Sequence, residues 1–285
     1  MVKITGYRIL SLVLILAIMA VCIPTMSYAA EGNTGTEAAL RNAVSSSGSG
    51  DVILSADIRL TTMLVIMRNL TLDLNGHVLT IAFPNESATT YALRLSYGGS
   101  GRSLTILDSA GNGNGKLIVS NSSNNSNSAG NAIGGSGGTL IIKSGIVEAY
   151  GGKSCAGISV SNVIIDGGTV TARGGSNAAG IGGGFNGAGV NVTINGGTVT
   201  ARGGSVAGGA GIGGGSHGAG GTTTITGGEI HAYGSGEFVG GAGIGGGPNG
   251  NGRITTITGG TVEAIAGCTA NEDGNGPAAA IGKGG

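Results

Sequence analysis

Charge is scarce in this chain. Asp, Glu, Lys and Arg together make up 10% of the residues, with 14 basic side chains against 14 acidic ones. No basic patch or charged tail stands out, which argues against a nucleic-acid partner and against a strongly charged protein partner. Long apolar runs are also missing, with one exception at the start. Lys3 and Arg8 precede an apolar stretch from Ile9 to Ile23, Pro24 breaks it, and Ser27-Tyr28-Ala29 offers a small-x-small cleavage site. This pattern predicts a secretory signal peptide over residues 1–29, and the stretch is short for a membrane span. Cys22 follows Val21 rather than a small residue, so a lipid anchor is not the expected reading. Without Lys3 and Arg8 the exported chain carries 12 basic and 14 acidic residues. It is expected outside the cell or at the cell surface. Its surface must be built mainly from Gly, Ser, Thr and Asn.

What is abundant is glycine, 64 of 285 residues. There is no three-residue period, which excludes collagen. Disorder is the usual alternative, but 40% of the chain is apolar and the glycines recur in register with Val and Ile. That is the mark of an internal repeat.

Aligned on a Gly-rich corner, successive units read LIIKSGIVEAY, VIIDGGTVTAR, VTINGGTVTAR, TTITGGEIHAY and TTITGGTVEAI. A second element lies between them, with its isoleucine at 133, 158, 181, 212, 244 and 281. The spacings vary from 23 to 37 residues, so insertions fall in turns. Within one unit, Val192, Ile194, Val199 and Ala201 alternate with Thr193, Asn195, Thr198, Thr200 and Arg202. Period-two alternation points the first set inward and the second outward. Gly196-Gly197 supplies a corner, and Ala210-Gly211-Ile212 a third, narrow side. One unit cannot bury its own apolar residues, but stacked units can.

The expected fold is therefore all-β: a right-handed parallel β-helix, a three-sided solenoid, over residues 51–285, with overt Gly-rich repeats from about residue 132. Upstream, Thr36 to Val44 reads as a short amphipathic helix carrying Ala39, Leu40 and Ala43 on one face, and residues 30–50 are expected to be a capping helix and linker. Ser45 to Gly50 reads as a flexible joint, and Ser120 to Asn131 as a surface loop. Cys155 and Cys268 would lie several coils apart at about 4.8 Å per coil, which argues against a disulfide and for buried small apolar side chains. The last residues, Ile281 to Gly285, fall inside another repeat. A solenoid capped at its first coil but open at its last would pair end to end with another chain, or else be a piece of a longer surface protein.

The stretches LSADIRLTTMLVIMRNLTLDLNGHVLTI, LTILDSAGNGNGKL and INGGTVTARGG…GAGIGGG resemble secreted right-handed parallel β-helix proteins of the pectate-lyase-like superfamily, in particular its carbohydrate-binding and surface-protein branch in Gram-positive bacteria. The resemblance spans about residues 51–285. It implies the fold directly. It implies activity only loosely, because that superfamily holds lyases, hydrolases, calcium-dependent polysaccharide binders and adhesins.

The inward positions stay constant from unit to unit while one outward face varies. On that face the stacked columns read Glu148/Thr171/Thr200/His231/Glu263 and Tyr150/Arg173/Arg202/Tyr233/Ile265, beside a column that includes Glu229. Tyr stacks on sugar rings, and Arg and Glu hydrogen-bond hydroxyls or uronate carboxylates. The expectation is a non-catalytic carbohydrate-binding face whose partner is a polysaccharide or cell-surface glycan. An ordinary solvated β-face is the plain alternative. A lyase or hydrolase of this fold would need an Arg beside clustered acids, or converging Asp residues. Asp166 with Arg173 is a lone pair that reads as a surface ion pair, so no catalytic residue is assigned. No cofactor is expected. The Glu272-Asp273 turn has oxygen ligands that calcium could use, but it lacks the nonapeptide calcium pattern. His77, His217 and His231 have no zinc spacing. An ice-binding face is a third reading, from Thr169-x-Thr171 and Thr198-x-Thr200, although Glu229, His231 and Glu263 interrupt the array.

Overall fold

The computed structural model describes residues 32–83, 91–97, 100–122, 130–206, 208–236, 239–267 and 278–285. Residues 1–29, read above as a signal peptide, Cys22, Cys268 and the Glu272-Asp273 pair lie outside these. The described chain from Gly32 onward is a right-handed parallel β-helix with three sides per coil.

The first side stacks the strands Val52–Leu54, Leu70–Asp73, Ser103–Leu107, the second half of Ile133–Ile142, the second half of Ile158–Ile165, Asn191–Ile194, Thr223–Ile225 and Thr255–Ile257. The second side is a continuous 8-stranded sheet running from Ile58–Leu60 through Val78–Phe83, Lys116–Asn121, Ile146–Tyr150, Thr169–Arg173, Thr198–Arg202 and Glu229–Tyr233 to Thr261–Ile265. The third, narrow side carries the expected isoleucines, which pair in register as Ile133–Ile158–Ile181–Ile212–Ile244–Ile281. Pairing from coil to coil is parallel and equivalent residues face each other, as in Thr169–Thr198, Val170–Val199 and Thr171–Thr200. The one antiparallel pair of strands among the described residues, Ser96–Tyr97 with Ser100–Gly101, is a small excursion from a coil.

The alternation read from sequence is the observed burial pattern. Val192, Ile194, Val199 and Ala201 are buried while Thr193 and Thr200 are half-buried and Arg202 is exposed. Gly197 makes the corner with φ +82°, a conformation open to glycine at little cost. The interior narrows along the axis. One inward column of the second side runs Leu60, Ile81, Val119, then Ala149, Ala172, Ala201, Ala232 and Ala264. Where it turns to alanine, the third side carries a glycine before Ile158, Ile181, Ile212 and Ile244, and the backbones close in. A Cβ built on Gly211 would lie 2.6 Å from the Tyr233 nitrogen and 2.9 Å from the Ala201 oxygen. The Ala-Gly-Ile motif is thus a packing requirement.

The helix spans Glu37–Ala43, with Thr36 as N-cap accepting from the Ala39 amide at 3.2 Å. Leu40 and Val44 are buried in the same core as the first coils, covering their open end. Arg41 pairs with Glu37 at 2.8 Å within the helix and fastens it to the first coils through the Met63 carbonyl at 2.8 Å. Two expectations need correction here. Gly32–Thr34 is a strand that pairs with Val52–Leu54, so the cap adds a rung as well as a helix. The Ser45–Gly50 joint is tied down: the Arg68 guanidinium donates to the carbonyls of Ala43 at 3.0 Å and Gly50 at 2.6 Å. Ser120 to Asn131 is a further correction, because Ser120 and Asn121 extend a second-side strand and Asn121 and Asn131 are buried. The Asn131 side chain accepts from the Ala156 amide at 2.7 Å, which lets it stay inside. Residues 123–129 lie outside the described set.

Cys155 is buried, its sulfur accepting from the Gly130 amide at 3.0 Å, and burial pushes its thiol pKa up. No helix among the described residues is long and apolar enough to cross a membrane.

Gly211→Ala should lower the urea midpoint by the equivalent of about 1–3 kcal/mol, the usual cost of forcing a methyl group into a packed interior. Ser205→Ala, at an exposed turn, should stay within about 0.5 kcal/mol. Unfolding followed by circular dichroism separates the two.

Candidate functional site

The outward columns of the second side assemble as the repeat implies. Glu148, Thr171, Thr200, His231 and Glu263 follow one another on adjacent strands, and so do Tyr150, Arg173, Arg202, Tyr233 and Ile265. Adjacent strands lie about 4.8 Å apart, so each column is a straight rank of side chains on a rigid backbone.

The structure divides this face into three parts. At the first, Lys116 pairs with Glu148 at 3.1 Å and Tyr150 donates to the other Glu148 oxygen at 3.2 Å. Burial, then the neighbouring Glu148 carboxylate, holds the Tyr150 hydroxyl above its ordinary pKa. In the middle, two identical strands, Thr169–Arg173 and Thr198–Arg202, set Arg173 beside Arg202 and four threonines beside each other. No acidic side chain stands on these two strands, and both arginines are exposed. At the far part, Glu229, His231, Tyr233 and Glu263 form a connected cluster. His231 Nδ1 lies 2.8 Å from Glu263 Oε2 and Nε2 lies 3.2 Å from Glu229 Oε1. The Tyr233 hydroxyl donates to Glu263 Oε2 at 2.7 Å. The Arg202 guanidinium covers one face of the Tyr233 ring at 4.1 Å, a cation–π contact.

Sequence reasoning therefore placed these residues on the right face but treated them as independent. Tyr233 has one ring face occupied by Arg202 and its hydroxyl bound to Glu263. Asp166 is a clear correction. Its carboxylate accepts from Asn195 Nδ2 at 2.8 Å, and Asn195 in turn accepts from Thr226 at 2.9 Å, forming a polar ladder along a corner. No ion pair to Arg173 exists among the described residues. The physical reason is distance along the strand: Asp166 sits at the corner, and Thr169 to Arg173 alone spans about 13 Å.

Sequence reasoning missed two features. Asp73 and Asp108 are buried at the corners of early coils. The Asp73 carboxylate accepts from the amides of Asn75 and Ser109, each at 2.9 Å. The Asp108 carboxylate accepts from those of Gly76 at 2.7 Å and Gly115 at 3.1 Å. They do at these corners what Gly-Gly does later, and Asp-x-Asn-Gly at 73–76 is the signal that could have revealed the first. The other is a cleft of about 520 Å³ at the end of the second side, lined by Asn121, Ser122, Gly151, Gly152, Lys153, Gly175 and Ser176. It adjoins Tyr150 and Arg173, which immediately precede its Gly-Gly walls. Among the described residues no group of three or more His, Cys, Asp or Glu is arranged to hold a metal ion.

Four segments, residues 163–185, 192–216, 224–248 and 256–282, match the family model described as a beta helix repeat. No curated protein and no solved structure matches the chain. Each matched segment starts within a first-side strand or immediately before one and ends in the loop after the third-side isoleucine or at the third-side strand itself, so the family repeat and the structural coil have the same period.

Glu148→Gln should lower the ionisation midpoint of Tyr150 in an ultraviolet tyrosinate titration. Part of the upward shift should persist, because burial contributes more to it than Glu148 does.

Proposed function

We propose that this chain of β-helix repeats is an exported, non-catalytic binding protein whose second side engages extracellular polysaccharide. What carries the reading is the contrast between the two surfaces of one sheet. The inward residues are fixed as Val, Ile and Ala by packing, while the outward ones on the same strands range over Thr, Arg, Tyr, His and Glu. Packing explains the first set and leaves the second unexplained.

The middle of the face fits a glycan best. Arg173 and Arg202 stand side by side, both exposed and with no acid on their own strands, and Arg202 also lies over the Tyr233 ring. Thr171 and Thr200 add hydroxyls within the same two rungs. Tyr150 stands next to Arg173, and the neighbouring cleft widens the contact at that edge. A guanidinium fork matches a carboxylate or a pair of hydroxyls, and the flat rigid sheet lets an extended polymer lie across several rungs without ordering cost on the protein side. The leader-like segment at 1–29 supports export, and the low charge of the rest supports a neutral or sparsely charged polymer over nucleic acid.

Sedimentation with insoluble polysaccharides tests the reading. The wild-type chain should pellet with at least one of them, and Arg173→Ala with Arg202→Ala should weaken binding by about tenfold or more, the loss expected for charge-assisted hydrogen bonds. Ser205→Ala should bind as wild type. Equal pelleting by the double variant would remove this face as the binding surface.

A further inference from the structure

The cluster at the far part of the second side contains a protonation state that its geometry dictates. Both ring nitrogens of His231 lie within hydrogen-bond distance of carboxylate oxygens, Nδ1 at 2.8 Å from Glu263 and Nε2 at 3.2 Å from Glu229. An ionised carboxylate only accepts. A neutral imidazole has one donor and one acceptor, so it can satisfy one of the two and turns a lone pair toward the other. Only the imidazolium donates to both. Glu229 belongs to the same strand as His231, whereas Glu263 is on the next coil, 32 residues later. The bridge therefore crosses from one rung to the next.

We propose that His231 is a proton-operated clasp between the strand Glu229–Tyr233 and the strand Thr261–Ile265. Protonated, it holds Glu263 in place, and Glu263 holds the Tyr233 hydroxyl. Deprotonated, the ring has one donor and no charge, so it can no longer donate to both carboxylates and the cross-coil bridge loses its charge assistance. The charged and titratable groups on the three strands packed together here are few. The own strand gives Glu229 and Tyr233, the following strand gives Glu263, and the preceding strand gives Arg202, which sits over Tyr233. The one cation among them, Arg202, is engaged with the tyrosine ring, so nothing on these strands replaces the imidazolium when it loses its proton.

The direction of titration agrees with the geometry. The hydrogen bond to Glu263, helped by Glu229, raises the His231 pKa above its ordinary 6.5. The hydrogen bonds from His231 and Tyr233 lower that of Glu263 below 4.5. A raised histidine contributes fully below its ordinary pKa and is lost as pH climbs through the folded value. A lowered carboxylate contributes fully above its ordinary pKa and is lost as pH falls through the folded value. The clasp is therefore strongest between about pH 4.5 and 6.5 and weakens toward the alkaline side.

Two measurements on the whole chain test this. In an NMR titration of the histidine ring signals, His231 should titrate above 6.5, and Glu263→Gln should bring its midpoint down. The backbone amide signals of the early second-side strands, such as Ile58–Leu60 and Val78–Phe83, should not move in that variant, which separates a local effect from a loss of fold. Second, amide exchange of residues 261–265 should be slower in wild type than in His231→Gln by about two- to fivefold at pH 5.5, the range for an exposed ion pair, and equal in the two at pH 8.5. A His231 midpoint at or below 6.5, or an exchange ratio that does not change with pH, overturns the proposal. Neither readout involves polysaccharide, so the clasp stands or fails independently of the binding role.

Discussion

Parallel, in-register pairing between coils is the interaction on which everything else in this molecule rests. A single coil has no interior of its own: its three short strands enclose a column of side chains that only the coils above and below can close off from water. The register Thr169–Thr198, Val170–Val199 and Thr171–Thr200 sets like against like on every strand of the second side. That one constraint produces the apolar ladders inside, the polar ladders at the corners and the ranks of varied side chains outside. It also explains how a chain with so much glycine is ordered. Each coil gives its backbone donors and acceptors to its neighbours, and the glycines permit the close approach that small interiors demand.

The narrowing of the interior links core to function. When the inward column passes from Leu and Ile to Ala, the coil contracts and the third side must carry glycine, as at Gly211. The second side stays in unbroken register because its inward residues barely change after Ala149. A flat sheet with a uniform rung spacing can vary its outward residues freely. The threonine and arginine tile, the Lys116–Glu148–Tyr150 group and the His231 cluster are three different surfaces built on one backbone.

Much of this was legible in the amino-acid sequence, and the reason differs by feature. The cap helix was visible because Ala39, Leu40 and Ala43 recur at helical spacing. The strand before it was not, since Gly-Asn-Thr has no apolar alternation and pairs only because Val52–Leu54 offers it an edge. The site columns were visible because a period of two and a repeated corner fix which residues stack. Their partnerships were not. Asp166 and Arg173 are close in sequence yet separated by the length of a strand, whereas His231 and Glu263 are far apart in sequence and one rung apart in space. Buried Asp108 was missed because its carboxylate is held by the Gly76 and Gly115 amides, which carry no sequence signal of their own, whereas the Asn-Gly turn after Asp73 did carry one.

The repeat alone thus determined the fold class, the three-sided coil, the inward residues and the identity of the outward face, because periodicity is a local property and stacking makes it global. Only the tertiary structure decided which outward side chains are engaged with each other, where a cleft opens beside Tyr150, and that one histidine lies between two carboxylates from different coils. Those outcomes depend on side-chain reach across a spacing of about 4.8 Å, and that distance exists only after the coils have stacked.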